Sequence, residues 1–411
     1  MAKNYADNYN SVNDSIALQQ SFFVKEEVTR GTLIAPTGAD FLFTLGGGTI
    51  EFSQPFESSP HRSGRHHTSI IKKKKESNWS FPTYFNIDTS VGAGTTEIDP
   101  AARVLWKSML GKETVSTGLQ YTATVPATTF SLFENGDRWA RQSRACFVQG
   151  ANMSFPGDGE ATVEWSGSGK DALYLGIGKS VTNNNAGNTV TLASGDGALF
   201  KKAIGGFVMI IEANGTTRST DTPDGSPRRI TVVAGDVVTL DGAVLTDADG
   251  SVTPIYLSYY EPATPVAIND PQTGLVGSFQ ITGFAGLTCV RSVGVNLANN
   301  HEMVNYCYGF DSLSSPFFVP GDRMTAEISI ELNLSKDLIK FFNAVQNFEA
   351  QVLQVILGDA ASRHLDLDLP KVFFPVPSFT APDTGSIPVT FAGTAYQTAL
   401  NMEDEVSVYF K

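Results

Sequence analysis

The stretch 49–87, TIEFSQPFESSPHRSGRHHTSIIKKKKESNWSFPTYFNI, constrains the fold most. It opens with an alternating strand, 49–56. A connection, 58–75, follows with Arg62, Arg65, His66, Lys72, Lys73, Lys74 and Lys75. An aromatic strand, 78–87, returns with Trp79, Phe81, Tyr84 and Phe85. Strand, charged connection and returning strand predict a long β-hairpin whose base packs in a core. Its arm has too little apolar surface to bury itself. Such an arm is solvated, or it docks on another subunit.

Composition narrows the class. Hydrophobic residues make up 41% of the 411 and charged residues only 17%, so a chain of this length buries substantial cores in two or three domains. Thirty-eight glycines and a scarcity of helical periodicity point to a mainly β protein. No apolar run reaches a membrane-spanning length, and the polar start lacks the apolar centre of a secretory signal. Cys146, Cys289 and Cys307 have no metal spacing and are expected to be buried thiols. Net charge is -13, and setting aside the six Lys and Arg of 58–75 leaves -19 on the rest. A body that acidic does not hold DNA tightly, but it can line a path along which DNA moves.

Along the chain, 1–38 is expected to be an N-terminal arm, 39–175 with 266–411 the β core, and 176–265 an inserted small β-domain. In the core, Asp99 and Pro100 start a short amphipathic helix that Gly111 stops. A second helix, 336–348, is capped by Ser335 and carries an apolar stripe of Leu338, Ile339, Phe341, Phe342, Val345 and Phe348, expected to pack on the sheet. In the insert, short strands are punctuated by Asn214-Gly215, Asp241-Gly242 and Asp249-Gly250, which suggests a small barrel or sandwich.

Candidate chemistry is thin. His61, His66 and His67 lack a Cys or carboxylate at ligand spacing and read as part of the basic arm, so no metal is expected. Asp247 and Asp249 open like a calcium loop but lack the closing glutamate, leaving a turn. Lys72–Lys75 followed by Trp79 and Phe81 could form a nucleic-acid patch, yet the aromatics fit core positions and an acidic neighbouring subunit explains the lysines equally well. Asp366 and Asp368, between Leu365, Leu367 and Leu369, look like the solvated side of an alternating strand. No nucleophile elbow, phosphate loop or other catalytic constellation is present, so neither an enzyme nor a cofactor is expected.

The order of these parts resembles the major tail tube proteins of long-tailed bacteriophages, over 39 to about 170 and again over 274–411. The resemblance rests on Glu57, Pro60, Arg62 and Arg65 in the connection and on Trp79, Phe81 and Tyr84 in the strand. Glu97, Ile98, Asp99, Pro100 and Leu105 carry it in the helix, and the strand–helix–strand segment 323–357 is a second match. The same fold is similar to the tube protein of type VI secretion. The resemblance implies a β-sandwich or barrel core with a flanking helix, six copies closing a ring by continuing one sheet into the next, and rings stacked through the hairpin and terminal arms. It also implies contact with tape-measure, tail-terminator, distal-tail, baseplate and sheath proteins, with viral DNA passing unbound, in a tail assembled in the bacterial cytoplasm. The insert 176–265 departs from that pattern and keeps a second class open: a capsid-decoration, baseplate or glycan-binding β-protein. A glycoside hydrolase on a β scaffold and a nucleic-acid binder acting through the arm complete the alternatives.

Overall fold

The computed structural model describes every residue except 1–2, 12–19, 47, 59–68, 74, 88–97, 126–127, 184–186, 219–226, 243–254, 263–270, 285–289, 304–317, 321, 359–363, 381–383 and 401. Among the described residues, twenty-seven strands against three α-helices make the protein mainly β. Among the described residues no helix is long and apolar enough to cross a membrane.

Ala140–Pro156 is the hub. Its first half pairs with Phe130–Asn135 and Asp171–Leu175, its second with Thr162–Gly169 and Val290–Ala298. Irregularities between Ser143 and Cys146 and between Val148 and Gly150 bend it from one set of partners to the other. Gly150 sits at the second of these bends.

A broad antiparallel sheet spreads from the second half of the hub. Its order is Thr49–Ser53, Glu76–Tyr84, Thr162–Gly169, Ala140–Pro156, Val290–Ala298, Thr325–Asn333, Pro388–Ala395. A second sheet runs Gly111–Val115, Leu119–Ala123, Ser407–Phe410, His364–Phe373, Gln351–Gly358, Ser278–Ile281. The two meet where Val372 and Phe373 pair with Ala395 and Thr394. Strict alternation sends Trp79, Phe81, Trp165, Met153, Val295, Ile328 and Phe391 inward into one apolar cluster with Leu353, Leu365, Leu367 and Val408 of the second sheet. Gly167 sits under Trp79, where an added Cβ would lie 2.2 Å from the indole, so only glycine fits.

Two helices plug this sandwich. The first, α2 (Pro100–Leu110), has Pro at its start and ends at Gly111 with φ +87°. Its Trp106 touches Trp165 of one sheet and Tyr121 and Phe410 of the other. The second, α3 (Lys336–Gln346), starts at Ser335, whose hydroxyl accepts a hydrogen bond from Leu338 N at 3.2 Å. Leu338, Phe341 and Val345 are buried and Phe342 is partly buried, with Phe341 against Phe284, Phe374 and Phe391. Ile339 does not join them: it is 55% exposed, and Phe348 projects from the turn beyond the helix. The apolar stripe was therefore drawn too wide, because a 3.6-residue turn places Ile339 roughly 100° away from Leu338.

Residues 177–259 form a separate closed barrel of six strands. Around the ring they are Ile177–Asn183, Thr189–Leu192, Val237–Leu240, Arg228–Ala234, Phe207–Ile211 and Tyr256–Tyr259, which pairs back onto the first. The Asn214-Gly215 turn behaves as its residues dictate, with Gly215 at φ +73°. Asp247 and Asp249 lie outside the described residues.

The N-terminus differs from the expected arm. The helix α1 (Tyr5–Asn10) lies on the barrel, with Tyr5 against Tyr259 and Tyr9 against Tyr256. Ser21–Glu26 is a buried strand paired with Phe130–Asn135. Phe22 enters the sandwich core and Phe23 the barrel core, so the strand buries both of its faces.

Candidate assembly surfaces

The hairpin read from 49–87 is built as two antiparallel segments. Its base, Thr49–Ser53 with Glu76–Tyr84, belongs to the broad sheet. Beyond Pro55 the chain continues as a two-stranded ribbon, Phe56–Ser58 with Ile70–Lys72. Phe56 is opposite Lys72 and Ser58 opposite Ile70 on one face, and Glu57 is opposite Ile71 on the other. Phe56 is 66% exposed, Ile70 53% and Ile71 49%, so the ribbon has more free apolar surface than its basic sequence suggests. Lys73 forms an ion pair with Glu57, its backbone N–H donates to Pro55 O at 2.8 Å, and the Lys75 ammonium lies 5.5 Å from the Phe52 ring. Lys72 is fully in solvent. Arg62, Arg65, His66 and Lys74 lie outside the described residues, as do His61 and His67. A ribbon of two strands gains too little from its own pairing to stand alone in water, so this one is held in register by the sheet at its base.

The outward face of the broad sheet is chemically uniform. One row across it reads Thr49, Ser80, Ser166, Gly150, Ala298, Thr325, and the next reads Pro82, Glu164, Asn152, Asn296, Glu327, Thr394. Neither row contains a Lys or Arg. Arg291, on the next-but-one row outward, is held by Glu331 at 3.2 Å and Asn333 at 2.9 Å. A hollow of about 290 Å³ lies on this face between Glu51, Asn78, Gln149 and Ser166. Its lining is polar and open, unlike the mostly apolar clefts that enclose small molecules.

The free edges of the sheets are treated unequally. At the Thr49–Ser53 edge, the Arg141 guanidinium donates to the carbonyl of Ile50 and is itself fixed by the fully buried Glu134, with Nε to Oε2 at 2.5 Å. A cation on an edge strand blocks indiscriminate strand addition. Ser278–Ile281 and Gly111–Val115 each pair on one side only among the described residues.

Charged groups elsewhere serve packing. Asp366 was expected on a solvated face, yet it is 5% exposed, bonded to Lys411 Nζ at 2.7 Å with His364 Nε2 3.6 Å away. Ile356 and Tyr409 flank it in register on the two neighbouring strands. Burial, reinforced by the Asp366 charge, pushes Asp368 above the usual carboxylate range. The buried Glu27 carboxylate accepts from Gly31 N, Thr129 Oγ1, Ser131 Oγ and Ala145 N, all within 3.1 Å. Burial likewise pushes the Cys146 thiol far up, keeping it protonated, while Cys289 and Cys307 lie outside the described residues.

One exposed feature gave no signal in the sequence. The turn 396–405 joins Pro388–Ala395 to the last strand and is braced by Thr398, whose N–H donates to Asp404 Oδ1 at 2.9 Å. It holds Tyr396, Leu400 and Met402 out in water, Leu400 at 89% exposure, with Glu403, Asp404 and Glu405 beside them.

The chain matches no known protein family, and none of the curated proteins matches it.

Proposed function

We propose that this chain is a structural subunit whose copies close into hexameric rings, and that the rings stack into a hollow tube of the kind that conducts DNA through a bacteriophage tail. The broad sheet carries this reading. A seven-strand antiparallel face with no cation across its central rows suits a wall that phosphates pass without sticking. The strands that pair on one side only among the described residues, Thr49–Ser53, Ser278–Ile281 and Gly111–Val115, suit continuation into a neighbouring copy, which removes open edges by closure. The unsupported ribbon supplies a reach toward a further copy. In this reading the partners are the chain itself, the other tail proteins and the DNA in transit, and the place is the virion tail.

The closed barrel favours a second reading, a virion decoration, baseplate or glycan-binding protein, since it leaves no edges to assemble and projects a finished surface. Electron microscopy of concentrated protein separates the two. Rings or tubes are expected, and loss of residues 58–75 is expected to abolish stacking while leaving the circular dichroism unchanged. A strictly monomeric particle at every concentration rules the tube out.

A further inference from the structure

Two exposed features of this chain are chemical opposites. The ribbon presents Phe56 and Ile70 beside Lys72 on one face, with Ile71 on the other and Lys75 at its base, and the turn 396–405 presents Tyr396, Leu400 and Met402 beside Glu403, Asp404 and Glu405. Each spends its apolar side chains on water within the single chain. We propose that the ribbon of one copy docks on the 396–405 turn of a second copy, apolar against apolar, with the lysines facing the carboxylates. The proposal rests on reading the chain as a self-assembling subunit, and it names the surface that receives the arm.

Several observations single out this acceptor. The turn is held in one shape by its Thr398–Asp404 and Met402–Ala399 hydrogen bonds, so docking orders little new chain. The exposed side of α3 at Ile339 is also apolar, but Lys336 and Lys340 stand beside it with the same sign as the ribbon. Donor and acceptor are different patches on one molecule, so in a ring or stack the contact can repeat head-to-tail from copy to copy.

The test swaps charges in the full chain and follows assembly by light scattering and sedimentation. Lys72→Glu with Lys75→Glu alters the ribbon, and Glu403→Lys with Glu405→Lys alters the turn, leaving Asp404 to brace it. Each pair alone is expected to raise the concentration at which assembly begins by about tenfold, since two favourable contacts become repulsive. All four changes together are expected to bring it back near the wild-type value. Circular dichroism of each variant should match the wild type, because none of the altered side chains is buried. A turn variant that assembles like the wild type, or a fourfold variant no better than either pair, overturns the docking and leaves the tube reading standing. Wild-type protein that never assembles overturns both.

Discussion

At the scale of single residues, charge is placed by pairing across long sequence distances. Burial alone would raise the Glu113 pKa, but hydrogen bonds from Arg103 at 2.6 and 2.7 Å and from Tyr121 at 3.0 Å outweigh it and hold the carboxyl below its ordinary 4.5. A carboxylate held lower in the folded state than in the unfolded one stabilises the fold above about pH 4.5, and that contribution disappears as pH falls through the folded value. Glu113→Gln is therefore expected to be less stable than wild type at neutral pH, with the gap narrowing steadily below pH 4.5. Urea unfolding across pH 3 to 7 measures it, and a gap independent of pH would refute the assignment. None of this was legible in the sequence: Arg103 and Glu113 meet only because α2 stops at Gly111 and a strand turns back along it. The same holds for Asp366, whose alternation with leucines signalled a solvated face until Lys411 and the flanking strands closed over it.

At the scale of elements, periodicity was a reliable guide wherever one face met water and a poor one elsewhere. Glu76–Tyr84, Thr325–Asn333 and Pro388–Ala395 alternate cleanly, and the first falls within three residues of the strand expected at 78–87. The barrel strands after Thr189 were marked by Asn-Gly and Asp-Gly turns, whereas Ile177–Asn183, in a weakly alternating stretch, was missed. Over 21–29 the sequence allows a short strand or a turn of helix, because a strand with a core on both sides shows no alternation, and the structure makes Ser21–Glu26 a strand. In α3 the sequence located the helix and its cap but not the width of the buried stripe. Phe341→Ala is expected to cost about 3–5 kcal/mol, since that ring fills space between three phenylalanines. Ile339→Ala is expected to cost no more than about 0.5 kcal/mol. Denaturant midpoints compare the two, and equal losses would mean that Ile339 packs on the core after all.

At the scale of the whole molecule, a strong overall acidity is distributed with purpose. On the broad sheet face Glu164 and Glu327 flank Asn152 and Asn296 in one row, while Lys72 lies on the ribbon beyond Pro55. If that face repels phosphate, Glu164→Lys combined with Glu327→Lys should make assembled particles retain duplex DNA at low salt. Retention should weaken with a log–log salt slope of about -0.9 per phosphate engaged, while wild-type particles retain none. Filter binding between about 50 and 200 mM salt reads this directly. Tight DNA binding by unaltered particles would contradict a non-adhesive wall.

The joint between barrel and sandwich bears on how the molecule handles force. Gln142 donates to Phe207 O and accepts from Phe207 N, both at 2.8 Å. Tyr259 Oη donates to Gly136 O, and Lys3 bonds both Gly136 O and Glu261. Phe23, Phe133 and Ala140 of the sandwich share one apolar cluster with Phe207 and Tyr259 of the barrel. Three separate segments of chain thus bolt the two bodies together, and no swivel lies between them. A pull on the barrel becomes shear on the strands behind it.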